Sequence, residues 1–367
     1  MDLTTEEALA VRMRSLLLTP EKRCGSVAEI VEWFGAMQAQ DMASGLWSLG
    51  VRLPGSALGD VEAALERREA IRTWPMRGTV HLVPPADAHW MLELMGVRAL
   101  AGAAKRRETI GLSEQTADRG VEVLAEALAG GKRLTRAECL AALAAGGVEL
   151  SGQMGYHLLW YASQRGVTCI APHLGKEQTF VLLDEWVPEP RRPSREEALG
   201  LIALRYFRSH GPATAQDLAR WTGLTLTDTR AGIAVAGEAL TTVRVDGTDM
   251  LVDPAALDPA PAIRDDWAAL PGFDEYMLGY KDRTLMVDKE HLDAIVPGGN
   301  GVFQATLVER GRTVATWKRT LGKKAVNVDV SPLTPLTRAA RSRAEAALEP
   351  FAWFVGLPLR VRWPSTA

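Results

Sequence analysis

Two glutamines separated by one residue occur in Met37-Gln38-Ala39-Gln40-Asp41, where a helical pattern runs out. Within a continuing helix, residues two apart point about 200° away from each other, so the two amides could not share a site. Past the helix end, or in an extended stretch, both face the same way. A glutamine carbonyl can accept a hydrogen bond from water or lie beside a developing cation, and its NH₂ can donate. Neither group titrates near neutral pH, so such a pair would position and stabilise rather than carry protons. The same five residues also fit a capped and solvated helix terminus.

A second constellation is RTWPMRGTVHLV at 72–83. Read as one strand of period two, Trp74, Met76, Val80 and Leu82 share a face with Gly78, and Arg77, Thr79 and His81 share the other. A cation, a hydroxyl and an imidazole in one row suit an anion or a base edge; an ordinary exposed strand face also explains them. The third is LPGFDEY at 270–276, followed by Gly279-Tyr280-Lys281-Asp282-Arg283. Its Pro-Gly turn, aromatics and basic residues suit a phosphodiester backbone, or equally a core with a solvated rim. Short basic clusters recur at Lys105-Arg106-Arg107, Lys132-Arg133, Lys318-Arg319 and Lys323-Lys324.

The elements that would position these residues are clearest at 194–252. Ser194 with Glu197 three residues on is a capping-box pattern that opens a helix ended by Gly211-Pro212. TAQDLARWTGL then reads as a short helix, a third helix begins near Thr227, and TTVRVDG and TDMLVDP form a hairpin around Asp246-Gly247. This order is that of a winged helix. Similar orders at 4–83 and 113–183 make a weak internal repeat, and a helix near 86–107 would link those two. From about Ile263 the pattern turns strand-rich, with one helix in PLTRAARSRAEAALEPFAWFVG. The expected fold is α+β, mainly α: winged-helix modules at 1–85, 86–187 and 188–262, then a small β-barrel or curved sheet at 263–367.

The bulk of the sequence excludes several classes. At 367 residues the chain is long enough for several modules, and its 47% hydrophobic and 24% charged residues are ordinary for a globular protein. No stretch reaches the roughly 18 apolar residues of a membrane helix, and MDLTTEEALAVRMR lacks the layout of a secretory signal. Three scattered cysteines and six histidines show no metal-ligand spacing, and the motifs of nucleotide hydrolases, zinc hydrolases and serine hydrolases are missing. No metal or cofactor is expected. A net charge of −3 argues mildly against nucleic acid, although one positive face can coexist with acidic surface elsewhere.

Taken in order, MQAQD (37–41), RTWPMRGTVHLV (72–83), GPATAQDLARWTGL (211–224), LPGFDEYMLGYKDR (270–283) and GRTVATWKR (311–319) resemble the winged-helix DNA glycosylases of the AlkZ and YcaQ family. The resemblance covers nearly the whole chain. It implies three tandem winged helices and a C-terminal β-barrel around a concave DNA-binding surface. It also implies monofunctional excision of N7-alkylated purines, bulky adducts and interstrand crosslinks included. The family's catalytic triplet is Gln-x-Gln or Gln-x-Asp; Gln38 and Gln40 match the first form, that of the AlkZ branch, whose members often protect producers of genotoxic natural products. Asp41 falls one residue too late to take the second role.

The chemistry is coherent with that resemblance. A guanine alkylated at N7 is already cationic and departs neutral, which leaves water positioning and stabilisation of an oxocarbenium-like sugar as the remaining tasks. Gln40 is assigned to hold the water and Gln38 to orient and to stabilise charge. Arg77, Thr79 and His81 would border the pocket, and Tyr280, Lys281 and Arg283 would contact the backbone. The expected partner is double-stranded DNA carrying alkylated bases, met by a monomer in the cytoplasm at the nucleoid. A rival reading is a non-catalytic winged-helix regulator, but TLTDTRAGIAVAGEAL offers only Arg230 for base readout. Winged helices used as protein-interaction modules are a third.

Overall fold

The first helix, Thr5–Ser15, starts on a capping box in which Thr4 and Glu7 satisfy each other's backbone N–H groups. The strand just before it, Asp2–Leu3, pairs in parallel with Thr241–Val245. That strand forms an antiparallel hairpin with Thr248–Val252, turning on Asp246 and Gly247, both at positive φ. The hairpin expected from Asp-Gly is therefore present, and the chain's first residues add a third strand to it. Leu3, Ala8, Val11, Val243, Val245 and Val252 form the core beneath. In the computed structural model, which describes residues 1–20, 24–258, 262 and 266–364, the fold is mixed α and β. The chain divides into two compact units: Met1–Ala63 with Leu199–Ala367, and Ala64–Ala198.

In the first unit the hairpin follows three helices, Arg195–His210 (which begins just before the unit), Ala215–Thr222 and Leu226–Ala236. Ser194 Oγ accepts from Glu197 N at 3.3 Å, and Glu197 accepts from Ser194 N at 2.7 Å, as the capping pattern requires. The C-terminal sheet runs Trp267–Leu270, Ala305–Glu309, Arg312–Leu321, Val326–Pro332 and Leu359–Arg362, in that spatial order. Its pairings are antiparallel except the last, which is parallel. Among the described residues this sheet is open, so of the small β-barrel or curved sheet expected for 263–367 the barrel is not formed. The connection explains why: the helix Arg338–Phe354 crosses over to deliver the last strand in parallel, and packs against the opposite edge strand, Trp267–Leu270. Phe351 of that helix wedges between Trp47 and Trp317, with ring centroids 5.3 and 5.2 Å away.

In the second unit the strands are ordered Thr79–Val83, Ile71–Met76, Thr168–Leu174, Glu177–Leu182, Leu134–Thr135. Against them lie helices Val97–Ile110, Glu114–Leu128, Arg136–Ala145 and Met154–Gln164. The linking helix expected near 86–107 is interrupted: Ala88–Met91 is α-helical, Leu92–Gly96 is a π turn, and Val97–Ile110 is α-helical again. The wider turn ends where Gly96 passes Gln164, which a Cβ there would meet at 2.8 Å. Gln164 Nε2 donates in turn to the Trp74 carbonyl at 2.6 Å, tying helix to hairpin.

Candidate active site

The helix Val27–Phe34 is capped by Ser26 and stops at Gly35, whose φ of 78° suits glycine. The chain then runs extended through Met37–Gln38, and Asp41 opens the next helix, Met42–Gly50. The glutamine pair thus lies between two helices, with Gln38 in the short strand and Gln40 at the bend before Asp41. Ala39 between them packs into the second helix, 3.0 Å from a Cβ built at Gly45. Gln38 is nearly buried and Gln40 is exposed.

The segment is held by side chains from far along the sequence. Gln38 N–H donates to Glu275 Oε1 at 3.0 Å, while Glu275 Oε2 accepts from Trp221 Nε1 at 2.8 Å and faces His210 Nε2 at 3.2 Å. Glu275 is 1% exposed, so these partners, not water, stabilise its charge. Its neighbour Asp274 is gripped by Arg52 through both carboxylate oxygens at 2.8 and 2.9 Å and accepts from Ser48 Oγ at 2.8 Å. Beyond Gln40, Asp41 is ion-paired with Arg319 at 3.1 Å and accepts from Ser44 Oγ at 2.6 Å. Landmarks 37–41, 211–224, 270–283 and 311–319 therefore meet around the glutamine pair.

The 270–283 segment is more interior than its composition suggests. Tyr280 is fully buried: its hydroxyl donates to the His210 carbonyl at 2.8 Å, and the Arg12 guanidinium lies 4.1 Å above its ring. Burial pushes the Tyr280 phenol well above its ordinary pKa. The expectation that Tyr280 touches DNA is corrected, since its aromatic body fills core and its one polar atom is already used. Lys281 is exposed. Arg283 is half-buried over the Phe303 ring and donates to the Met277 carbonyl at 2.6 Å; burial and the nearby Arg220 lower its pKa.

The second unit holds Arg77, Thr79 and His81. They do not lie on one continuous strand: Arg77 (φ 56°) and Gly78 (φ 72°) are both left-handed and reverse the chain between Ile71–Met76 and Thr79–Val83. Two positive-φ central residues make a type I′ hairpin turn. Period-two reading across 72–83 therefore fails at Arg77, and Thr73 pairs with His81 while Met76 pairs with Thr79. His81 is buried, with Nδ1 2.8 Å from the Thr79 carbonyl. A carbonyl can only accept, so Nδ1 carries the hydrogen and Nε2 accepts from Arg77, 3.3 Å away. The structure thus couples Arg77 to His81 through the turn.

Sequence reasoning missed Glu275, Asp274, Arg52, His210, Trp221 and Arg319. The one available signal was Asp274-Glu275 inside an apolar run, which marks carboxylates that must be paired if buried. Among the described residues no group of three or more His, Cys, Asp or Glu could hold a metal, and no helix is long and apolar enough to cross a membrane.

One buried and one exposed glutamine therefore sit on a segment braced by distant side chains, in a fold of helices and small sheets. The AlkZ-like DNA glycosylase family model matches residues 31–354, and the chain belongs to that family. It is 29% identical over 344 residues to an interstrand DNA cross-link repair glycosylase of Streptomyces sahachiroi, covering 87% of this chain and 88% of that one. It is similar in structure to the Streptomyces sahachiroi DNA glycosylase AlkZ, with a TM-score of 0.79, 25% identity and coverage of 99% of this chain and 100% of the other.

Proposed function

We propose that this protein hydrolyses the N-glycosidic bond of N7-alkylated purines in double-stranded DNA, bulky alkylguanine adducts and interstrand crosslinks included. The observation that carries the reading is the Gln38-x-Gln40 pair, presented on an anchored segment inside a chain of this family. The cross-link repair named for the Streptomyces relative supports the substrate class. Gln40, exposed, holds the attacking water; Gln38 orients and stabilises the sugar cation through its amide. Arg77, Thr79 and His81 contribute DNA contacts from the second unit, and Lys281 and Arg283 meet the phosphodiester backbone. The three winged-helix modules at 1–85, 86–187 and 188–262 and the C-terminal module at 263–367 form the DNA-binding frame of a monomer that works in the cytoplasm at the nucleoid, in repair or in self-resistance to a genotoxic product.

Single-turnover release from duplexes carrying N7-methylguanine or a bulky N7-guanine adduct tests this. Free base with an intact abasic strand is the expected product. Intact DNA binding without release from either substrate would replace the enzyme with a non-catalytic DNA binder.

A further inference from the structure

The second unit contains a cavity of about 730 Å³ that the glutamine chemistry does not use. Its walls carry three guanidinium groups, Arg77, Arg106 and Arg136, and the rings of Tyr156, His157 and Trp160; no carboxylate lines it. Three like charges gathered around one hollow repel one another, and an anionic ligand relieves that repulsion. The rings are arranged as surfaces. Arg136 lies 5.3 Å over Tyr156, which is 39% exposed, and the His157 and Trp160 rings are 5.1 Å apart and inclined by 33°.

The floor is made of small residues. Ala99, Gly102 and Ala103 line the cavity at i, i+3 and i+4 of the helix Val97–Ile110, and Arg106 follows at i+7. A glycine within a helix is destabilising relative to alanine. A Cβ at Gly102 would meet nothing within 4 Å, so packing within the protein does not require glycine there. The glycine leaves the cavity floor open at that point. Arg106 is fixed by a hydrogen bond to Gln153, and His157 Nε2 is buried with no hydrogen-bond partner among the described residues. Burial and the adjacent Arg107 and Arg106 lower the His157 pKa.

Planar rings, guanidinium groups and a volume suited to a small ligand recognise a planar base joined to a phosphate. We propose that this cavity binds one nucleotide of a DNA strand, with its base stacked on the aromatic wall and its phosphate held by the arginines. The proposal rests on the reading of the protein as a DNA glycosylase, and adds a nucleotide subsite to it.

The test measures equilibrium binding of the full chain to an undamaged, fluorescein-labelled 12-mer of thymidine over a salt series, with dTMP titrated separately. Tyr156→Ala is expected to weaken 12-mer binding about tenfold, Tyr156→Phe to leave it unchanged, and Arg136→Ala to reduce the slope of log affinity against log salt by about one. Both positions are exposed at the surface, and thermal melts of the variants check that the fold is retained. Binding within twofold of wild type with an unchanged salt slope would overturn the proposal. Loss of dTMP binding in Tyr156→Ala with 12-mer binding intact would also overturn it, by assigning the cavity to a free mononucleotide. Undamaged DNA is used so that failure here is separate from failure of the glycosylase reading, which base release reports.

Discussion

The Gln38–Asp41 segment and the Arg77–His81 hairpin both present polar side chains, yet they are built in opposite ways. The hairpin is local: its two strands pair with each other, its turn is two residues long, and its Arg77–His81 contact spans four residues. The glutamine segment makes only a two-residue strand of its own and depends on Glu275, which is 237 residues away from Gln38, and on Arg319, which is 278 away from Asp41. A locally built element tolerates single changes and can be improved by them. An element anchored at a distance by a buried carboxylate is more vulnerable to the loss of that one partner.

The largest effect should come from the anchors. Asp274→Ala leaves Arg52 buried without its carboxylate and is expected to destabilise the protein by about 3–5 kcal/mol, read by urea unfolding. A loss under about 1 kcal/mol would show that Arg52 finds water instead. Glu275→Gln keeps the size of the side chain but must present one NH₂ to Trp221 or to Gln38 N–H, each itself a donor. A stability loss of about 1–3 kcal/mol is expected, with single-turnover base release falling more than DNA affinity. Equal losses in rate and affinity would mean that Glu275 supports the fold without positioning Gln38.

The hairpin should respond in the other direction. Arg77 occupies a left-handed position that asparagine adopts more easily, and Asn-Gly is a preferred type I′ pair. Arg77→Asn is expected to stabilise the second unit by about 0.5–1 kcal/mol while weakening DNA binding. Destabilisation would show that the Arg77–His81 contact outweighs the backbone strain.

The smallest effect is a difference in pH response. His89, His157 and His173, all in the second unit, have pKa values lowered chiefly by burial, with Arg192, Arg107 and Arg72 respectively adding to it. The unfolded chain binds protons at histidine near pH 6.5 and the folded unit resists doing so. Their contribution is therefore fully present above about pH 6.5 and declines as pH falls through the lowered folded values. Hydrogen exchange between pH 7.5 and 5.5 should show protection falling in 64–198, and unchanged protection there would contradict the assignment.

The same contrast decides what was legible in the sequence. Ser194 with Glu197 and Asp246-Gly247 announce a cap and a turn through neighbours in the chain, and both are present. The strand at Asp2–Leu3 was illegible because its partner is Thr241–Val245. The Arg77–Gly78 turn was read as strand because arginine at positive φ has no compositional signal. Tyr280 was read as surface because a tyrosine beside lysine and arginine suits either environment; only its packing under Arg12 and its bond to His210 place it inside. The glutamine pair was visible as a motif, whereas its anchors belong to the tertiary fold alone.

The decisive measurement is single-turnover release of N7-methylguanine from duplex DNA at saturating enzyme, comparing wild type with Gln40→Ala and Gln38→Ala after matching their DNA affinities. Exposed Gln40 as the holder of water predicts a rate loss of about a hundredfold or more for Gln40→Ala, and a clear loss for Gln38→Ala with affinity unchanged. Release at the wild-type rate by both variants would place the chemistry elsewhere in the molecule.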